Sequence, residues 1–283
     1  MQAKVLLPSP RLRHVVEYYF HGIESFSRAS FDGLYSTPIL ECIVFDFGSA
    51  ASSREMKYGD RTFQPGGNIH LFGQPDRPFD MAGSYNDFIV VKFRPLGLWK
   101  LTGIFMQQIA NRIHDAEDIF GSAIRLLSEE MQESESTAKK VACLDLFLQK
   151  RLARNQFKLH SCIHPALTLL RTHQGNINIR ELQNQTHTTG KSLQRAFANH
   201  LGMSPKLYAR IIRYNFVKTA IEKSGFSDWG KIAYAQGYYD QSHFINEFKR
   251  FSGKTPLAYY SHRATRAKNL SDLLNPAAAL VEV

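Results

Sequence analysis

Two short segments carry polar side chains at spacings suited to reading the edge of a base pair. In the first, Lys191, Ser192, Gln194 and Arg195 lie around Leu193 and ahead of Phe197; in the second, Gln241, Ser242, His243 and Asn246 lie around Phe244 and ahead of Phe248. Leu193 with Phe197, and Phe244 with Phe248, stand four apart, which stacks side chains on one helix face and turns the residues between them outward. Arginine can take both acceptors of a guanine edge, and glutamine or asparagine can pair with adenine. Lys206, Arg210, Arg213, Lys249, Arg250 and Lys254 add cations suited to phosphates, contacts that position a protein without reading sequence.

The charge distribution agrees with that chemistry. Of the net +10 over 283 residues, none belongs to residues 1–155, where 18 Lys and Arg face 18 Asp and Glu; residues 156–283 hold 17 basic against 7 acidic side chains. A neutral domain joined to one that faces a polyanion fits this asymmetry, although basic surfaces also serve solubility or anionic membranes. The length implies two domains, each able to bury a core. With 43% hydrophobic and 21% charged residues, a folded chain is expected rather than a disordered or fibrous one. No run of 18 apolar residues and no charged-then-apolar leader occurs, so a cytoplasmic protein without membrane partners is expected.

The elements that must hold the polar groups come from an internal repeat. Phe197-x4-Gly202-x-Ser204-Pro205-x2-Tyr208 recurs as Phe248-x4-Gly253-x-Thr255-Pro256-x2-Tyr259, each position displaced by 51 residues. A fixed offset implies two copies of one supersecondary unit. The first copy reads as a helix with Ile179 and Leu182, a polar turn from Thr186 to Gly190, and a helix with Leu193 and Phe197. The second has Asp228 as a cap, Ile232 and Ala233 on its leading helix, a turn at Gly237, and a helix opened by Asp240 or Gln241. Ser204-Pro205 starts a helix between the copies that runs toward Ser224-Gly225. At roughly 18 residues or ~27 Å, it is a rigid spacer able to put two helices into successive major grooves, about 34 Å apart.

These residues resemble the AraC-type family of bacterial transcription regulators. The resemblance covers about 100 residues and is most specific over Gly237-Tyr238-Tyr239-Asp240-Gln241-Ser242-His243-Phe244-Ile245-Asn246-Glu247-Phe248-Lys249-Arg250, followed by Gly253-Lys254-Thr255-Pro256. It implies two helix-turn-helix motifs joined by a long helix, with base readers at Lys191, Gln194, Arg195, Gln241, His243 and Asn246. Three positions depart from the family pattern: Gln183 where a small alanine is usual, His187 where glycine is usual, and Asn246 where arginine is frequent. The resemblance implies double-stranded DNA as partner and neither cofactor, catalytic residue nor metal. RNA polymerase, a small-molecule effector and a homodimer through the N-terminal domain stay open as further partners, and the effector-binding residues are unknown.

The expected architecture is α+β in two domains: a β-rich, barrel-like N-terminal domain with flanking helices, and an all-α C-terminal one. The boundaries expected are 1–155 for a regulatory, dimerising or sensing domain, 156–162 for a linker, 163–262 for the helical domain and 263–283 for a mobile tail. Ile39–Phe47 and Phe88–Phe93 read as strands, and Leu96–Ala110, Asp118–Met131 and Thr137–Ala153 as helices. The junction Phe88–Leu98 is similar to that after the β part of regulatory domains in one AraC-type subgroup. The stripe Val141, Leu144, Leu148 and Leu152 either pairs two subunits or packs on its own β core.

Enzyme chemistry finds little support. No Gly-x-Ser-x-Gly elbow, phosphate loop or dinucleotide fingerprint occurs. The eleven histidines form no His-x-His pair, and their one His-x3-His pair, His160 and His164, lies outside the β-rich part; His70 reads as a packed residue rather than a ligand contact. Cys42, Cys143 and Cys162 read as isolated reduced thiols, with a sensor role for Cys42 beside Glu41 the less favoured reading. Two rivals stay open: a DNA-repair methyl acceptor, which lacks a Pro-Cys-His setting here, and a module binding an acidic protein.

Overall fold

A computed structural model describes residues 2–26, 41–48, 55–58, 61–63, 67–78, 80–82, 85–155, 157–224 and 229–266. Among the described residues the N-terminal part has nine strands: β1 (Gln2–Leu6), β2 (Val16–Phe26), β3 (Cys42–Asp46), β4 (Glu55–Tyr58), β5 (Arg61–Phe63), β6 (Ile69–Phe72), β7 (Asp80–Ala82), β8 (Tyr85–Phe93) and β9 (Ile113–Asp115). Six pair antiparallel in the order β1-β2-β8-β3-β6-β9, and three in the order β5-β4-β7. Ile39 and Leu40, the start of the strand expected over Ile39–Phe47, lie outside the described residues.

The large sheet is buried on both faces. Alternation along the strands sends Tyr19, Ile43, Phe45, Leu71, Ile89 and Val91 to one face, against Leu98, Phe120, Ile124, Leu144 and Leu148 of the following helices. The other face carries Phe20, Val44, Phe72, Phe88 and Val90 together with Asp46, His70 and Lys92, all buried. Of these, Phe20 and Phe88 pack with centroids 5.8 Å apart.

The helices of this part are α1 (Gly97–Thr102), α2 (Glu117–Phe120), α3 (Ser122–Gln132) and α4 (Thr137–Arg154). The single helix expected over Leu96–Ala110 is cut short at Gly103, where a Cβ would lie 2.2 Å from the Phe157 ring. Beyond it the chain makes only a 3-10 turn at Met106–Gln108. The helix expected over Asp118–Met131 divides at Gly121 into α2 and α3. Leu144 and Leu148 of α4 are buried in the domain's own core, with Val141 and Leu152 packed against it, so that stripe is spent within the chain and not on a second subunit.

Among the described residues seven helices follow: α5 (Ile163–Thr172), α6 (Ile179–Gln185), α7 (Gly190–Leu201), α8 (Pro205–Ser224), α9 (Trp229–Ala235), α10 (Gln241–Ser252) and α11 (Pro256–Arg266). Asp228, expected to cap α9, lies outside the described residues, as do 267–283; α11 runs past the boundary expected at 262. The repeat extends to individual hydrogen bonds. Thr189 and Asp240 cap α7 and α10 by accepting from the N–H of Ser192 (3.2 Å) and His243 (2.7 Å). Gly202 and Gly253 end the same helices in the left-handed region, at φ 69° and 76°, with N–H groups donating to Ala198 and Lys249. Ser204 and Thr255 then receive the N–H of Leu207 and Ala258. Every pair is 51 apart because side-chain caps and a glycine exit are the local means of satisfying orphaned helix-end groups.

The two turns differ by one residue. Thr188 N–H bonds to Gln183 O and Tyr238 N–H to Ala233 O, an offset of 50, so the added residue falls between the turn and the second cap. At the turn position of Gly237 (φ 77°) the first copy holds His187 at φ 49°. A side chain there costs roughly 1–2 kcal/mol that glycine does not, and His187 is exposed, so its ring contributes little packing in return. Part of the gain from glycine is offset by its greater freedom in the unfolded chain. His187→Gly is therefore expected to stabilise the C-terminal domain by about 0.5–1 kcal/mol, read as a higher urea midpoint at unchanged slope; an unchanged or lower midpoint would contradict strain at this turn.

Candidate nucleic-acid interface

The surface that could meet a polyanion is built on α7 and α10. Each of these 12-residue helices is amphipathic. Leu193, Ala196, Phe197, His200 and Leu201 turn inward from α7, and Phe244, Glu247, Phe248, Phe251 and Ser252 from α10. Both rest on α8, whose Ile211, Tyr214 and Val217 belong to one core with residues of both copies. Tyr214 meets the rings of Phe248 and Phe251 with centroids 5.2 and 5.4 Å away. The apolar stripes thus fix which faces of α7 and α10 remain in water.

Most of the polar residues singled out above stand on those wet faces. Lys191, Gln194 and Arg195 are exposed on α7, and Gln241, Ser242, His243 and Asn246 on α10. Ser192 is different: it is half-buried, and its hydroxyl pairs with Nε2 of His160 at 3.2 Å. The segment before α5 therefore leans on the first turn of α7. Lys206 and Lys249 are exposed, whereas Lys254 is half-buried.

Three arginines expected at phosphates have partners within the protein. Arg210 Nε lies 2.6 Å from one oxygen of Glu247, and Arg213 Nη2 lies 3.1 Å from the other. Tyr238 donates its hydroxyl proton to Glu247 at 2.8 Å, and Arg213 also covers the Tyr238 ring at 4.6 Å. The charge of Arg210 and Arg213, expected at phosphates, thus also offsets a buried carboxylate. Arg250 reaches into the N-terminal domain and pairs with Asp76 at 3.1 Å.

Glu247 is the functional residue that sequence reasoning passed over. Its signal was present: an acidic side chain on the stripe Phe244, Phe248, Phe251 must be buried, and a buried carboxylate calls for cations. Burial favours its neutral form, but the hydrogen bonds from Arg210 and Tyr238 and the Arg213 charge outweigh this and hold the carboxyl below its ordinary range. Tyr234 and Tyr239, both strongly exposed beside the turn that leads into α10, were also passed over; nothing in the helical periodicity marks them.

Among the described residues no group of three or more His, Cys, Asp or Glu is placed to hold a metal ion, and no helix is long and apolar enough to cross a membrane. Cys42 is fully buried, and burial pushes its thiol up to about 12. That leaves almost no thiolate near neutral pH for sensing chemistry.

Comparison with known proteins places this geometry. Residues 182–262, from α6 into α11, match the family model described as "Helix-turn-helix domain". No curated protein matches the chain in sequence. Among solved structures the chain is similar to ToxT from Vibrio cholerae O395, with 10% identity, 92% of this chain and 97% of that chain covered, and a TM-score of 0.46. ToxT of the same strain bound to (E)-4-(8-methylnaphthalen-1-yl)but-3-enoic acid gives 12% identity, 92% and 98% coverage and a TM-score of 0.46. The AraC-like transcriptional activator CuxR gives 13%, 81% and 91%, and 0.31. These structural likenesses are too distant to carry an argument. The matched helix-turn-helix segment supports a DNA-binding transcription regulator. The match lies within the helical domain and covers 81 of the 283 residues.

The Glu247 cluster gives a pH-dependent test. A carboxyl held below its unfolded value of about 4.3 contributes stability that is complete above that value and is lost as pH falls through the lower folded one. Glu247→Gln leaves two guanidinium groups short of their counter-charge, at a cost of about 3 kcal/mol, the low end for a buried pair, because Arg210 is partly exposed. Urea unfolding from pH 7 to pH 3 should show that loss at pH 7 and a shrinking difference from wild type toward pH 3. A constant difference would exclude a depressed carboxyl as its source.

Proposed function

We propose that residues 163–262 grip duplex DNA with two helix-turn-helix units, α7 and α10 entering successive major grooves, while residues 1–155 control that grip and 156–162 link the two. The reading is supported above all by the 51-residue repeat, kept down to the cap hydrogen bonds, with its polar faces left in water. At 20 residues, or roughly 30 Å at 1.5 Å per residue, α8 suits the groove spacing of about 34 Å.

Arg195 and Lys191 are the guanine readers in this scheme, and Gln194, Gln241 and Asn246 are placed to read adenine, with His243 and Ser242 beside them. Lys206 and Lys249 serve as phosphate contacts, with Lys254 at the margin. The N-terminal domain supplies control through a small-molecule effector. The sheet face with Phe20, Val44, Phe72, Phe88 and Val90 around Asp46, His70 and Lys92 has the mix of apolar walls and a few polar groups that ligand sites use. The stripe of α4 being spent on its own core leaves any homodimer to another face, and contact with RNA polymerase has no residue assigned.

The test starts with operators recovered by genome-wide footprinting of the purified protein. Arg195→Ala should weaken binding to such a duplex by ~1–3 kcal/mol and to a scrambled duplex by much less. Equal losses on both would make Arg195 a phosphate contact and remove it from the readers.

A further inference from the structure

Both α7 and α10 are held at their C-terminal ends by one part of the N-terminal domain. Gly202, the exit of α7, lies against the 3-10 turn: a Cβ on it would come within 3.0 Å of Met106 O and 3.1 Å of Ala110 Cβ. His200, just before it, packs on Trp99 with ring centroids 4.6 Å apart. Gly253, the equivalent exit of α10, faces Pro78, whose Cγ would be 3.7 Å from such a Cβ. One turn earlier, Arg250 meets Asp76 at 3.1 Å.

The two supports are a single piece of structure. Gly73 N–H bonds to Arg112 O (3.1 Å), Asn111 N–H to Gln74 O (3.0 Å), and Asp76 N–H to the Asn111 side chain (2.8 Å). Residues 73–78 and 106–112 therefore form one hydrogen-bonded platform. On it the Asp76 carboxylate is oriented by the Tyr58 hydroxyl and by Arg77 Nε at 3.3 Å. Arg250 thus meets an anion that is also held by groups of the N-terminal part itself.

We propose that this platform is the device by which the N-terminal domain restrains DNA binding, its Asp76 carboxylate competing with a DNA phosphate for the Arg250 guanidinium. The proposal rests on the DNA-binding reading above and adds its regulation. Arg250 is one of the exposed cations that α10 carries, and it sits one residue from Lys249, so a guanidinium freed from Asp76 stands at the edge of the same surface. While the ion pair holds, the chain meets DNA with one cation fewer and with both reading helices tied to the regulatory domain. An effector that loosens the platform would release both ties together, because they share one hydrogen-bonded support.

The experiment uses the full chain and a mixed-sequence duplex, with binding measured across a salt series for wild type, Asp76→Asn, Arg250→Ala and the double variant. Asp76→Asn should tighten binding roughly two- to fivefold, the factor that a partly exposed ion pair is worth, and the same change on the Arg250→Ala background should do nothing. Ala110→Gln, which wedges the platform away from Gly202 without touching either charge, should reproduce the tightening and should likewise depend on Arg250. It also serves if Asp76→Asn fails to fold. Unchanged affinity in both platform variants, or tightening that persists without Arg250, overturns the proposal. A wild-type chain that binds no duplex at any salt would instead overturn the DNA-binding reading on which it stands.

Discussion

A buried carboxylate organises the second half of the helical domain. Glu247 sits on the inward face of α10, and its two oxygens are taken by Arg210 and Arg213 of α8, with the Tyr238 hydroxyl as a third donor. An apolar stripe alone would let α10 rotate and slide on α8 by small amounts, because dispersion contacts have no preferred direction. Two guanidinium groups and a phenol aimed at one carboxylate remove that freedom, since an unpaired charge at this depth is costly. The orientation of the outward residues Gln241, Ser242, His243 and Asn246 follows from this anchor.

The first copy reaches the same architecture differently. Position 247 corresponds to Ala196, buried and small, so α7 is seated by Leu193, Phe197 and Leu201 without a buried ion pair. Its extra restraint comes from outside the repeat, in the Ser192 contact with His160 and the His200 stack on Trp99. The duplication therefore fixes the caps and exits, which are local necessities of any helix end, while the means of seating each helix have diverged. Both units touch the N-terminal part, but among the described residues only the second has a buried ion pair within the helical domain, while the first adds the linker contact of Ser192 with His160.

Sequence reveals these features unequally, and the reason is physical. The repeat, the caps at Thr189 and Asp240 and the glycine exits at Gly202 and Gly253 are legible because each depends on residue type at a fixed local spacing. Helical periodicity likewise sorts Arg195 from Phe197 and Gln241 from Phe244. It cannot tell whether an outward-leaning cation is already claimed, which is why the engagement of Arg210 and Arg213 with Glu247, and the pairing of Arg250 with Asp76, 174 positions away, are invisible. The long helix expected from Leu96 to Ala110 fails for a related reason: its break at Gly103 serves Phe157, a contact 54 positions distant. The left-handed turn at His187 was legible only as a departure from pattern, and its meaning appears with the backbone angle.

The contrast between the two units extends to their charge. The outward face of α7 carries Lys191 and Arg195, side chains that in the proposed scheme supply long-range attraction and guanine recognition. The corresponding face of α10 offers Ser242, His243 and Asn246, with short polar side chains and no fixed positive charge, while its nearest arginine is engaged by the platform. Phosphate attraction dominates affinity for DNA and base contacts refine it, so under the proposed DNA-binding reading the first unit has the stronger charge for that role. The second differs: of its two neighbouring cations, Lys249 is exposed and Arg250 is paired with Asp76 of the other domain, so in the proposed scheme a shift of that ion pair would change the charge of the second unit and leave the first intact.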